Sequence, residues 1–189
     1  MRPITSIECD NNLRLLPAVS EHLSEIIEAI DETGNEIYQA MPWLELGLPI
    51  PSQVEEYLQD VERYGAGGLS YHWAVIFSGE FAGLIALDYT PHLIIGHWNL
   101  GYWIRPNHQQ KGIAGKSIDA VLNWIGRGGL TSVEIGVNPA NVAGVRTAES
   151  AVQRWRGHRL EEQIEVEVAG QLIMHHCWFI PRLPLEESP

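Results

Sequence analysis

The chain has only two lysines, Lys111 and Lys116, and they bracket one short run, Gln109-Gln110-Lys111-Gly112-Ile113-Ala114-Gly115-Lys116. This run lies between a strand-like segment and a helix-like one. Backbone N–H groups at a helix start lack acceptors within the helix, and the helix dipole adds partial positive charge, so such a turn attracts oxyanions. Small residues let the anion reach the backbone. The ligand this spacing predicts is a phosphate or diphosphate. A triphosphate-binding loop is excluded, because Gly-x-x-x-x-Gly-Lys-Ser/Thr spacing is absent. A dinucleotide fold is excluded because the preceding strand belongs to an antiparallel meander.

The elements that must position this loop follow from periodicity. Residues 13–16 read as a strand, and Ser20 reads as the cap of a helix bearing Leu23, Ile26, Ile27 and Ile30 on one face and ending near Gly34. Residues 38–51 contain Pro42, Pro49 and Pro51 around Trp43, which predicts a loop or broken helix; Ser52 then caps a second helix reaching Tyr64, stopped by Gly65, Gly67 and Gly68. From Ser70 the period becomes two. Runs 71–77 and 81–89 form a hairpin through Ser78-Gly79-Glu80, and a third strand spans 94–104, ended by Arg105-Pro106. After the loop, Ile113, Ser117, Ile118, Val121, Leu122 and Ile125 mark a helix closed by Gly126, Gly128 and Gly129. Residues 131–137 form a strand, Asn141 precedes a helix ending near Trp155, and runs 159–168 and 171–180 pair across Ala169-Gly170. The fold class is α/β with a mixed sheet of the α+β kind.

Composition narrows the partners. A chain of 189 residues with 45% hydrophobic and 19% charged residues fits one soluble domain, 1–189, with a loose tail at 181–189. The formal net charge of −12 argues against nucleic acid, which is gripped through clustered Lys and Arg. Cys9 and Cys177 suit a reducing compartment, and the first residues lack a secretory apolar core, so a cytoplasmic protein without a membrane span is expected. His175-His176-Cys177 holds metal-ligand types, but neighbours on a strand point to opposite faces, so no metal is expected.

In this element order, the segment from Gly101-Tyr102-Trp103 through Arg105-Pro106 to Gln109, Gly112 and Ala114 resembles the cofactor motif of the GNAT superfamily of acyl-CoA-dependent N-acyltransferases. The likeness is closest to the branch that acetylates ribosomal-protein N-termini, which also commonly carries a Pro-Trp pair, here Pro42-Trp43. It covers nearly the whole chain. It implies a GNAT-like fold in which acetyl-CoA enters a notch where strands ending near Ile104 and Val137 splay apart. Trp103, Ile104 and Arg105 would meet the pantetheine arm, the amides of residues 110–115 the pyrophosphate, and Asn141 the cofactor. Arg105, Lys111 and Lys116 would offset phosphate charge. Trp43 and Glu45 would stand at the acceptor groove of a monomer or homodimer, facing a small amine or a peptide N-terminus.

Transfer from a thioester to an amine needs an uncharged amine and a stabilised thiolate. The branch's usual basic carboxylate corresponds to Asn99, its usual serine to Gly144, and the tyrosine of other members to Ala148. The remaining candidates for proton transfer are Asn99 itself, His97 two residues earlier, which a regular strand would turn the same way, and Asp88 on the neighbouring strand. A weak base favours α-amines: about a fifth of an α-amino group is neutral near pH 7, against about one lysine in a thousand. Loss of both acid positions also fits a GNAT-like module that binds acyl-CoA and transfers little.

Overall fold

Two cores lie on opposite faces of one sheet, because alternate residues of its central strands are apolar on both sides. The structure, a computed structural model, describes residues 4–90, 94–128 and 132–181. Its strands are β1 (Ile7–Glu8), β2 (Leu13–Pro17), β3 (Ser70–Phe77), β4 (Glu80–Tyr89), β5 (Trp98–Ile104), β6 (Val133–Val137), β7 (His158–Val168) and β8 (Gln171–Ile180). They follow the order β1-β2-β3-β4-β5-β6-β8-β7. Tyr71, Trp73, Ile85, Leu87 and Leu100 pack one face against α4 (Ile113–Arg127) and α5 (Val142–Arg154). On the other face, Ala74, Ile76, Leu84 and Trp103 pack against α1 (Leu23–Thr33) and α3 (Ile50–Ala66). A short α2 (Ile37–Ala40) precedes the proline-bearing segment.

One junction interrupts the antiparallel pattern. β5 and β6 run parallel and pair only at Trp98↔Val133 and Asn99↔Glu134. Past those two rungs the strands diverge, which is the splayed notch expected between the strands ending near Ile104 and Val137. Arg105 N–H bonds the Ala82 carbonyl, so by ladder alternation the amides of Tyr102 and Ile104 face the opening.

Both expected hairpins form on two-residue turns held at positive φ, Ser78-Gly79 and Ala169-Gly170. Several boundaries differ from expectation. Ser20 makes no side-chain cap and opens a 3-10 turn before α1. α3 begins at Ile50, two residues ahead of the expected cap Ser52, because Pro51 sits in the first turn, where an N–H is not needed. That helix runs through Gly65 to Ala66. The third strand starts at Trp98 instead of Ile94: the amides of Ile94, Ile95 and Gly96 donate to the buried Glu134 carboxylate at 3.2, 2.6 and 2.6 Å, which withdraws them from any sheet ladder. The strand β1 was not expected. Gly129, Thr131 and the expected tail from Arg182 onward lie outside the described residues.

Candidate active site

The glycine loop is shaped by two residues in left-handed conformation. After a 3-10 turn at Pro106–His108, Gln110 has φ 61° and Gly112, the N-cap of α4, has φ 74°. Lys116 N–H closes the first turn on the Gly112 carbonyl at 3.1 Å, which leaves the amides of Ile113, Ala114 and Gly115 without intrahelical acceptors. A Cβ added at Gly112 would meet nothing within 4 Å, so the approach to these donors is open. Gln109 Nε2 donates to the Ile104 carbonyl at 3.0 Å and ties the loop to the end of β5.

This loop walls one side of a cleft of about 250 Å³. Of the residues expected at the cofactor, Trp103, Ile104, Gln109, Gln110, Gly112, Ile113, Ala114, Gly115 and Asn141 line it. The three cations do not. Arg105 donates to Glu32 and Glu28 of α1, through Nε at 2.5 Å and Nη2 at 2.9 Å respectively, and Lys116 pairs with Asp10 at 2.5 Å. Lys111 donates to the Asn107 carbonyl at 2.9 Å and lies over the Phe77 ring. In this structure the side chains of Arg105 and Lys116 are engaged by carboxylates and that of Lys111 by a backbone carbonyl, so the groups that face the cleft from this loop are backbone amides.

A second cavity, about 450 Å³, opens on the other side of the notch. Ala40, Tyr102, Asn141 and Gly144 line both spaces, so the two meet there. Asn141 Oδ1 accepts the Gly144 amide at 2.8 Å and caps α5, while the Tyr102 hydroxyl donates to the Gly144 carbonyl at 3.0 Å. Burial pushes the Tyr102 phenol well above its ordinary range, so it stays protonated. At this junction the protein thus offers a fixed O–H group. Asn99 lines the larger cavity, with Gly101 and Gly136 beside it.

The other candidates for proton transfer are placed elsewhere. His97 lies before β5, is exposed, and has Nδ1 3.3 Å from Ser132 Oγ; it lines neither cavity, because the strand that would have aligned it with Asn99 begins one residue later. Asp88 Oδ1 accepts Ser70 Oγ at 2.6 Å and lies 2.8 Å from His72 Nε2, whose Nδ1 is 2.7 Å from the Tyr57 hydroxyl. Burial raises the Asp88 pKa, but hydrogen bonding and charge from His72 and the Ser70 hydroxyl outweigh it and hold the carboxyl below its usual range. Asp88 shares a separate cavity of about 420 Å³ with Trp43 and Glu45. There Trp43 stacks on Tyr57, with centroids 4.4 Å apart, while Pro42 lines the larger groove instead.

Two histidines that line these cavities are not among the site candidates read from the sequence. His108 lines the cofactor cleft with Nδ1 buried and unpartnered, and His175 lines the larger groove with Nε2 in the same state. Burial lowers both imidazole pKa values, helped by Lys111 at His108 and by His176 at His175. The signal for His175 was the strand alternation itself: His176 turns to the other face, against Trp178, which leaves His175 facing the groove side. Among the described residues, no three His, Cys, Asp or Glu side chains are grouped to hold a metal ion, and no helix is long and apolar enough to cross a membrane.

Known proteins share this architecture. RimL, a ribosomal-protein α-N-acetyltransferase solved with coenzyme A, superposes with a TM-score of 0.80 at 16% identity, covering 94% of this chain and 98% of that one. RimJ of Mycobacterium smegmatis, solved with a CoA disulfide, gives 0.76 at 16% identity over 100% of this chain and 93% of that one. The microcin self-immunity acetyltransferase MccE, solved with acetyl-CoA and AMP, gives 0.72 at 15% identity over 92% and 94%. At these identities the likeness shows the fold. No curated protein matches the sequence directly. Residues 12–151, most of the chain, match the acetyltransferase (GNAT) domain family, and with the glycine loop, the notch and the element order in agreement, this chain belongs to that family of acetyltransferases.

Proposed function

We propose that this enzyme transfers the acetyl group of acetyl-CoA to the α-amine of a peptide or protein N-terminus, by direct attack in a ternary complex. The observation that carries the reading is the two-rung β5–β6 pairing, which opens a notch between an amide-lined cleft and a groove. The pyrophosphate meets the amides of Ile113, Ala114 and Gly115, and the pantetheine arm takes the ladder groups of β5 left free by the divergence. The thioester then arrives beside Tyr102, whose hydroxyl can turn from the Gly144 carbonyl to hydrogen-bond the departing thiolate. RimL supplies the precedent for an N-terminal amine. The free thiols Cys9 and Cys177 are consistent with work in a reducing cytoplasm.

The test is release of free thiol from acetyl-CoA with a panel of short peptides bearing free N-termini, set against lysine side chains and small amines. Faster turnover with α-amines is the expected result. Acetyl-CoA binding without thiol release from any amine would instead identify a binding module, the reading that Gly144 and Ala148 at the usual acid positions would favour.

A further inference from the structure

We infer that His175 is the proton acceptor for the attacking amine, in place of the carboxylate that Asn99 does not provide. This rests on the functional reading above. His175 is 7% exposed, lines the groove of about 450 Å³ with Asn99, Gly101, Gly136 and Asn138, and has no hydrogen-bond partner for Nε2. Buried polar nitrogens are nearly always satisfied; Nε2 lies under the groove surface, and a turn of the ring brings it to a donor held in the groove. An ammonium group entering that groove brings N–H donors to a site that otherwise has none for this nitrogen to meet.

Register explains why the imidazole points there. His175 pairs with Ile164 of β7, and β8 continues through His176↔Val137 and Cys177↔Gly136 along β6. His175 therefore lies just past the end of β6, where the notch opens. The groups around it are apolar on its own face of the sheet and acidic at other positions of the groove. Ile164 and Val166 share its face of the sheet, while Glu165 and Glu167 line the groove from alternate positions of β7. Glu134, on the β6 face shared with Gly136, is taken by three amides, and Cys177 is a fully buried thiol whose pKa burial pushes up to about 11. His176 faces Trp178. Burial and the neighbouring His176 keep the His175 ring neutral near pH 7, in the form able to accept a proton.

The step balances without a further reactant. The ammonium form of the α-amine gives one proton to the imidazole, and the freed lone pair attacks the thioester carbonyl carbon. A C–N bond forms, the C–S bond breaks, and its electron pair leaves with sulfur. The second proton on nitrogen passes to the thiolate, giving the amide and CoASH, and the imidazolium releases its proton to solvent.

The experiment compares the full chain with His175→Gln and His175→Ala, using acetyl-CoA and a short peptide with a free N-terminus. We expect kcat to fall about a hundredfold or more, in the range of general-base catalysis, with acetyl-CoA binding unchanged by calorimetry. The acidic limb of the wild-type pH–rate profile should move in the glutamine variant to that of the peptide's own α-amine, about 7.7–8.0. Wild-type kcat and an intact limb in His175→Gln would overturn the assignment, as would a fall in kcat that leaves the limb in place. Should both variants fail to fold, ¹⁵N-histidine spectra of the wild-type chain decide: the His175 Nε2 resonance should shift when the peptide binds, and no shift at saturation overturns the assignment. A wild type that turns over no α-amine would remove the functional reading as well, whereas an active wild type matched by His175→Gln removes only the histidine.

Discussion

Single residues at the notch show how much of the site is backbone. Gly112 holds φ 74°, a region that costs an L-residue about 1–2 kcal/mol. We expect Gly112→Ala to lower stability by about 1 kcal/mol in urea unfolding, and Gly112→Trp to abolish calorimetric CoA binding while circular dichroism keeps the native fold. Gly144 is a different case. A Cβ there would lie 2.7 Å from Asn141 Nδ2 and 2.9 Å from both Asn141 Cγ and Val137 Cγ1, so the position that holds serine in related enzymes has no room for one while Asn141 caps α5. The sequence shows that the serine is missing; only the packing shows why. Gly144→Ser should therefore bring no gain in rate. It should displace the cap and lower stability by about 0.5–2 kcal/mol, read as a lower Tm together with weaker CoA binding.

At the scale of elements, the notch depends on how β5 is launched. Glu134 is 1% exposed, and its two oxygens collect the amides of Ile94, Ile95 and Gly96 from the segment ahead of β5. The same residue forms the second and last rung between β5 and β6. Glu134→Ala strands three donors and should cost about 1–3 kcal/mol. Glu134→Gln should cost less, because one oxygen, Oε1, serves both Ile95 and Gly96 and an amide carbonyl can replace it; urea midpoints of the two variants check this order. The same contact marks the limit of what the sequence could convey. Hairpins at Ser78-Gly79 and Ala169-Gly170, the face of α4 and the divergence of β5 from β6 were legible, since local periodicity, turn chemistry and the family motif agree on them. Ile94 and Ile95 read as strand by β-branching, yet their amides are claimed by a carboxylate about forty residues away. Arg105 and Lys116 read as phosphate ligands because Glu28, Glu32 and Asp10 are distant in sequence and adjacent only in the fold. Strand alternation could put His175 on one face of β8, but that its Nε2 has no partner is defined by what does not surround it and shows only in the fold.

The whole molecule is acidic, with a formal net charge of −12, and its protonation sets the pH range in which the site stands assembled. Among the described residues, three carboxylates have lowered pKa values: Asp10 through its bond to Lys116, Glu32 through Arg105, and Asp88 because His72 and Ser70 outweigh its burial. Two imidazoles, His108 and His175, are lowered by burial. Both sets act in one direction. A group whose folded pKa lies below its unfolded value binds more protons when unfolded, so stability rises with pH across that interval and is lost as pH falls through it. For the histidines the loss begins as pH drops through about 6.5, the ordinary imidazole value, where the unfolded chain takes up protons that the buried rings refuse. For the carboxylates it begins near 3.8 to 4.5, where the unfolded side chains protonate. On the alkaline side, burial raises Cys9 and Cys177 from 9.0 to about 11, so the unfolded thiols ionise first and stability declines above pH 9. Urea midpoints measured against pH should accordingly be flat between about pH 7 and 8, fall in two separate steps on acidification, and fall once in alkali. In His175→Gln the first acid step should shrink and the second should not move. A first step of undiminished size in that variant would show that the ring takes up its proton as readily in the folded protein as in the unfolded chain.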